Sequence, residues 1–388
     1  MYRLEMKRLA KTRSTWILSA AAVLLSVIIA LSTIFSVVSY VDFTIGGDNV
    51  SIQTLTGFEA IKDTKEKMSR LEGELTRERI QQMLDESEKS TESGVYDSSI
   101  ETVLGALSRV GGGDVADYYD ARKAFIERTV GEKYGEDAAE TALKIDEGTT
   151  EPFYYEYGHG DSSAIVNLSI CQSIIAAVCA AISSAAFVQG YATGADDIMR
   201  CTRHGRGKFA NVKLLAAGSY AVALYIVCSA VFTAIVFAAF GSDASAAQLK
   251  GNFNSPLVLL GITEDGEYFL NVLMGLLTTL AVTAFALWVS SIVRSPVLAF
   301  AAAVGMVLLP LVCTTLFADS VWGMWAQNLL PSGGVCVTTG LWSQLTAANF
   351  LLVGSLVIWT PFAMLAAPVV EVPVFALLAK RAYVRHEG

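Results

Sequence analysis

The densest group of side chains able to bind an anion lies in "YATGADDIMRCTRHGRGKFANVKLLAAG", residues 191–218, where Arg200, Arg203, His204, Arg206, Lys208 and Lys213 stand between two apolar blocks. Its glycines and lysine resemble a phosphate loop only superficially. "HGRGKF" lacks both the four-residue gap and the following serine or threonine of GxxxxGK[ST], and no strand precedes it. The patch is small and has no interleaved aromatic residues, which argues against nucleic acid as a partner. Other chemistry is equally thin. Cys171, Cys179, Cys201, Cys228, Cys313 and Cys336 form no CxxC pair, and His159, His204 and His386 are far apart, so neither a disulfide framework nor a metal site is expected. No HExxH appears, and no GxSxG with a following acid and histidine. The chain is expected to be no enzyme in its own right and to hold no cofactor.

A bilayer must position these residues. The chain of 388 residues is 53% hydrophobic and only 17% charged, with a mean hydropathy of +0.48; a soluble domain carries about 25% charged residues. Six blocks can each cross about 30 Å of hydrocarbon as a helix: Trp16 to about Val38, Ile165 to Val188, Leu214 to Phe240, Phe269 to Val293, Pro296 to Phe317, and Phe350 to Leu378. The fold expected is therefore an all-α polytopic membrane protein with a helical domain between the first and second spans. Residues 1–38 form an amphipathic helix ("MYRLEMKRLAKTRSTW") and the first span, which lacks a small-residue cleavage site and is read as retained. Residues 39–162 form an acidic extracellular domain. Residues 163–388 hold five further spans, with an inner loop at 190–213 and a re-entrant segment at 319–347.

Charge sets the expected orientation. Arg3, Lys7, Arg8, Lys11 and Arg13 precede the first span, Arg200, Arg203, Arg206 and Lys208 follow the second, Arg294 follows the fourth, and Lys380, Arg381 and Arg385 follow the sixth. With six spans all four groups fall on one side, so the positive-inside rule puts both termini in the cytoplasm of a multi-pass cell-membrane protein. Between Ser39 and Asp161 there are 27 acidic and 13 basic residues, and this segment lies outside. Within it, "LTGFEAIKDTKEKMSRLEGELTRERIQQMLDESEKS", "DVADYYDARKAFIERTV" and "EDAAETALKI" are rich in helix formers, separated by breakers such as "VGGGD", which reads as a helical domain and not a sheet.

Two further features stand out. "DSVWGMWAQNLLPSGGVCVTTGLWSQLTAANF" carries Trp322, Trp325 and Trp342 and is broken by Pro331, Gly333 and Gly334, a pattern for short re-entrant helices shielded by protein and a candidate outer gate. Pro310, Pro361 and Pro368 interrupt the last two spans, where proline is common in any case. Glu371 is the one acid inside a long apolar run; its place toward the cytoplasmic end is explained by snorkelling or local packing, and proton coupling through it, as in an ion-coupled secondary transporter, is the alternative.

In the inner loop, "TGADDIMRCTR" reads as a short helix with Thr193 as cap and Asp196 and Asp197 in its first turn, where carboxylates meet the positive helix end. Ile198 and Met199 offer apolar contacts to a partner; the basic face can equally rest on anionic membrane lipid. At these residues the chain resembles the ABC-2 type permeases, the membrane subunits of ATP-binding-cassette exporters, and among them the bacterial members with a large extracellular insertion after the first span. The family's inner loop runs as an acid, a glycine, a short apolar helix, a small or proline-containing turn, an arginine, and a lysine seven residues later. Here these are Gly194, Ile198 and Met199, Thr202, Arg206 and Lys213. Tyr191 stands where an acid often precedes the glycine, and Arg203 replaces the common proline. The amphipathic start, the six spans and "NLLPSGG" before the last span extend the likeness over the membrane portion.

The resemblance implies that the loop is a coupling helix docking on a separate cytoplasmic ATPase, with Gly194, Asp197, Ile198, Met199, Arg203, Arg206 and Lys213 at the contact. ATP and Mg would be held by that partner. It also implies pairing with itself or a similar permease and export of an amphipathic or hydrophobic cargo such as a peptide antibiotic, lipid or drug. A third reading is a membrane assembly or sensing protein working through its extracellular helical domain.

Overall fold

The computed structural model describes residues 1–46, 49–92, 110, 118–157, 162–194, 201, 205–241, 247–251, 255–317 and 320–385. Its first span, Arg13–Phe35, turns small and hydroxyl residues inward. Thr15, Ser19, Ala22, Ser26, Ala30 and Thr33 are buried at spacings of three or four, while Trp16, Ile17, Leu24, Ile28 and Phe35 are exposed. Lipid tails are as apolar as leucine, so close backbone approach, and not hydrophobicity, selects the packed face. The inward hydroxyls are satisfied within the helix: Ser19 donates to the Thr15 carbonyl at 2.8 Å, Ser26 to Ala22 at 2.8 Å and Thr33 to Ile29 at 2.9 Å.

Among the described residues, six helices are long and apolar enough to cross a membrane. Span 1 is followed by span 2 (Ser162–Thr193), span 3 (Gly207–Phe240), span 4 (Glu264–Ile292), span 5 (Pro296–Phe317) and span 6 (Thr360–Arg385). An even number of spans leaves both termini on one side and the insertion between spans 1 and 2 on the other. Span 4 is the hub, packing against spans 2, 3, 5 and 6. Its start is fixed by Thr263, whose hydroxyl accepts from the Gly266 amide at 3.1 Å, with Glu264, Asp265 and Glu267 in the first turn.

The insertion is mainly helical, with helices Phe58–Ser69, Arg77–Glu92, Tyr118–Tyr134 and Glu136–Asp146. The helix formers between Leu55 and Ser90 form two helices, and Leu71 and Leu75 lie in the break between them. They still join the domain core, beside Met68, Ile80, Tyr119 and Phe153. Two small sheets were not anticipated. Val38–Gly46 pairs antiparallel with Asn49–Thr56, where β-branched and aromatic residues alternate with polar ones. Gly73–Glu74 pairs with Tyr154–Tyr155. The "GGGD" breaker and residues 114–117 fall outside the described residues.

Two span boundaries need correction: span 3 begins at Gly207 and not at Leu214, and the last span starts later than expected. The last apolar block was expected to begin at Phe350, but Phe350–Val353 and Leu356–Trp359 form a β-hairpin, and span 6 starts at Thr360. The two-residue connection is Gly354-Ser355, with Gly354 at φ +61°, a conformation open to glycine without a Cβ penalty. Pro361 then sits in the first turn of span 6, where its missing N–H is tolerated; Pro310, Pro368 and Pro373 lie inside helices.

Candidate functional site

The loop between spans 2 and 3 is held at both ends. Gly194 closes span 2 with φ +66°, its amide donating to the Tyr191 carbonyl at 3.3 Å. Arg206 caps span 3 from an exposed position. Asp197, Ile198, Met199 and Arg203 lie outside the described residues. Lys213 is no loop-edge charge facing headgroups: span 3 begins at Gly207, which carries Lys213 into the bundle, where it is 4% exposed. Its ammonium donates to the Ala186 carbonyl at 2.8 Å and sits 4.9 Å from the ring centre of Phe187, 4.7 Å from Phe209 and 6.0 Å from Tyr383. Aromatic faces are a favourable environment for a desolvated ammonium.

The surrounding side chains extend this knot to four spans. Tyr191 donates its hydroxyl to the Ser291 carbonyl at 3.1 Å and stacks on Tyr383 at 6.4 Å. The Ser290 hydroxyl accepts from the Phe187 and Val188 amides at 3.0 and 3.3 Å. Spans 2, 3, 4 and 6 are thus joined just inside the loop by directed contacts. Tyr191 is part of the knot.

On the opposite side, residues 320–345 fold as the helix Val321–Leu329, a 3-10 turn Gly333–Val335 and the short helix Leu341–Leu345. Ser320 caps the first, accepting from Gly323 N at 2.9 Å. Pro331, Gly333 and Gly334 are buried. A Cβ on Gly333 would lie 2.5 Å from the Gln327 carbonyl oxygen, and one on Gly334 would overlap the Met274 side chain and come within 2.9 Å of the Thr278 hydroxyl. These glycines allow the turn to sit directly on span 4. Ser332 donates to the Met306 carbonyl of span 5 at 2.6 Å, and Ser173 of span 2 donates to Val335 at 2.8 Å. Along this seam Thr278 Oγ1, Gln327 Oε1 and Asn328 Oδ1 are buried without a hydrogen-bond partner among the described residues.

Two groups of functional interest were not visible in the sequence. Between spans 2, 3 and 4, Gln172 donates to the Tyr225 hydroxyl at 3.1 Å and the Asn271 carbonyl at 3.0 Å, in space left open by Gly275, where a Cβ would strike both side chains. The other is a buried charge triad joining the insertion to the loop before span 4. Arg122 meets Asp146 through two nitrogens at 3.0 and 2.8 Å and donates to the Val258 carbonyl at 2.6 Å. Lys250 pairs with the same carboxylate at 2.7 Å and donates to the Asp146 carbonyl at 2.9 Å. Burial pushes the Asp146 carboxyl upward, but Arg122 and then Lys250 outweigh it and hold it below its ordinary value.

These features define a six-span helical membrane protein with a large helical insertion and transport-like architecture. Comparison with known proteins gives no match to a family model and none to a curated protein.

Proposed function

We propose that this chain is the permease subunit of an ATP-driven exporter, with the termini and the loop between spans 2 and 3 in the cytoplasm and the insertion outside. The basic groups beside spans 1, 2, 4 and 6 support this orientation. The observation that carries the reading is the Lys213 knot. It ties together the two spans that the loop connects, and ties both to spans 4 and 6. A partner pressing on the loop therefore moves four helices as a unit instead of bending one connection. A separate cytoplasmic ATPase, docking through Ile198, Met199 and the flanking Asp197, Arg203 and Arg206, supplies the force; ATP and Mg belong to that subunit. A second permease, identical or similar, completes the pathway.

At the far end, the seam between Gly333–Gly334 and span 4 is the part that opens. Thr278 Oγ1, Gln327 Oε1 and Asn328 Oδ1 support this, since they stand along the seam as acceptors for water or cargo admitted to it. Spans 2 and 4 present hydroxyl, amide and aromatic groups, suited to an amphipathic or hydrophobic cargo. In sealed vesicles carrying this chain and its partner, accumulation of a fluorescent amphipathic peptide should require ATP and persist when ion gradients are collapsed. Accumulation driven by an ion gradient without ATP would instead favour secondary transport.

A further inference from the structure

On the side of the chain termini, spans 1, 2 and 5 do not close on one another. Between them is a hollow with a cavity volume of about 390 Å³, within the range of about 300–1,000 Å³ usual for small-molecule pockets. Its origin is local. Thr12 adopts an extended conformation, φ −74° and ψ 121°, which ends the helix Tyr2–Lys11 and turns the chain into span 1, so the amphipathic helix roofs the space. Ala181 and Ala185 of span 2 and Ser14 of span 1 are too small to fill it.

The lining is mixed in chemistry. Leu18, Ile182 and Phe300 give the lining its apolar part, while Arg8, Thr12 and Gln189 give it polar groups. Val297 and Phe300 are 74% and 50% exposed, so on that flank the space opens towards the hydrocarbon. The stretch Met1–Arg13 carries Arg3, Lys7, Arg8, Lys11 and Arg13 against the single acid Glu5. Arg8 meets Glu5 through Nε at 2.7 Å; a guanidinium has five N–H donors, so its terminal nitrogens can take a second acceptor.

We propose that this hollow holds one acyl chain of a resident anionic phospholipid from the adjoining leaflet, with the lipid phosphate at Arg8. An apolar slot open to the bilayer with a basic group in its lining matches the two ends of that molecule, and charge favours an anionic headgroup over a zwitterionic one. The lipid wedges the amphipathic helix against spans 1, 2 and 5 at the level of the Lys213 knot; Arg8 and Ala186 also border a small void shared with Lys213. A resident lipid needs no ATPase, because this chain alone builds the hollow.

The test uses full-length protein extracted from vesicles of equal parts phosphatidylglycerol and phosphatidylcholine and examined by native mass spectrometry. Bound phosphatidylglycerol is expected on the native chain. Ala185→Trp, which fills the hollow, should abolish it, and Arg8→Gln should lower the phosphatidylglycerol-to-phosphatidylcholine ratio about fivefold, the share of one cation near the surface. Should Ala185→Trp fail to insert, Leu18→Trp in otherwise native protein serves as a reporter. The added fluorescence should be quenched more by brominated phosphatidylglycerol than by brominated phosphatidylcholine. Lipid retention indifferent to both substitutions, or equal quenching by the two lipids, would overturn the proposal.

Discussion

Asp146→Ala is expected to weaken attachment of the insertion domain by about 3–5 kcal/mol, because it leaves two buried cations without their shared anion. Arg122 is 2% exposed and Lys250 3%, so neither reaches water without local opening. The effect should appear in hydrogen exchange as loss of about two to three and a half orders of magnitude of protection in Tyr118–Tyr134 and Ala247–Gly251. The spans should be unaffected. Replacing all three residues by apolar side chains of similar size should restore much of the protection, because desolvation of the charges no longer has to be offset. If the single and triple variants behave alike, the triad is not what joins the two parts.

The same group fixes a pH window. Asp146 titrates lower in the folded protein than in the unfolded chain, so its contribution is fully present above the ordinary carboxyl value, about 3.9, and is lost only as pH falls through the lowered one. Attachment should be unchanged from neutral pH down to about 5 and should fail in stronger acid. Loss of protection already near neutral pH would point to a different titrating group.

Lys213→Met is expected to uncouple ATP hydrolysis from export. Methionine keeps the stem's volume among Phe187, Phe209 and Tyr383, but removes the bond to the Ala186 carbonyl and the ammonium facing the rings. Spans 2 and 3 can then move separately when the loop is displaced. A coupling free energy of about 1–3 kcal/mol corresponds to roughly 5- to 150-fold less cargo moved per ATP. ATPase binding should persist, since Ile198, Met199 and Arg206 are untouched. A parallel fall in partner binding and hydrolysis would show that Lys213 only supports the fold.

The spans were legible because length and apolar composition suffice to identify a helix that must satisfy its own backbone in lipid. The same criterion concealed the hairpin at Phe350–Trp359: "FLLVGSLVIW" is as apolar as the span it precedes, and only the Gly354-Ser355 turn signal separates them. Lys213 was misplaced for a related reason. A lysine before an apolar block reads as the edge of the preceding loop, and nothing near it in sequence shows that Phe187 and Tyr383 fold around it. The triad was hidden differently. Arg122 and Asp146 are two charges among many in a strongly acidic segment, Lys250 stands far away in the loop before span 4, and solvation is the ordinary state of each. For the re-entrant segment, "PSGG" marked a break, but the need for glycine came from Met274 and Thr278 on another span. Local rules locate elements; the contacts that give them function lie between distant parts of the chain.

In the proposed function, a separate ATPase drives the chain through the loop between spans 2 and 3. The most direct test is mild crosslinking in the native membrane from positions 195–206, followed by purification and mass-based stoichiometry. A cytoplasmic ATP-hydrolysing protein should be recovered in equal amount with this chain, and lost when Ile198, Met199 and Arg206 are replaced together while the chain still inserts normally. Correct insertion with no ATP-hydrolysing protein crosslinked to any of these positions would contradict the proposed function.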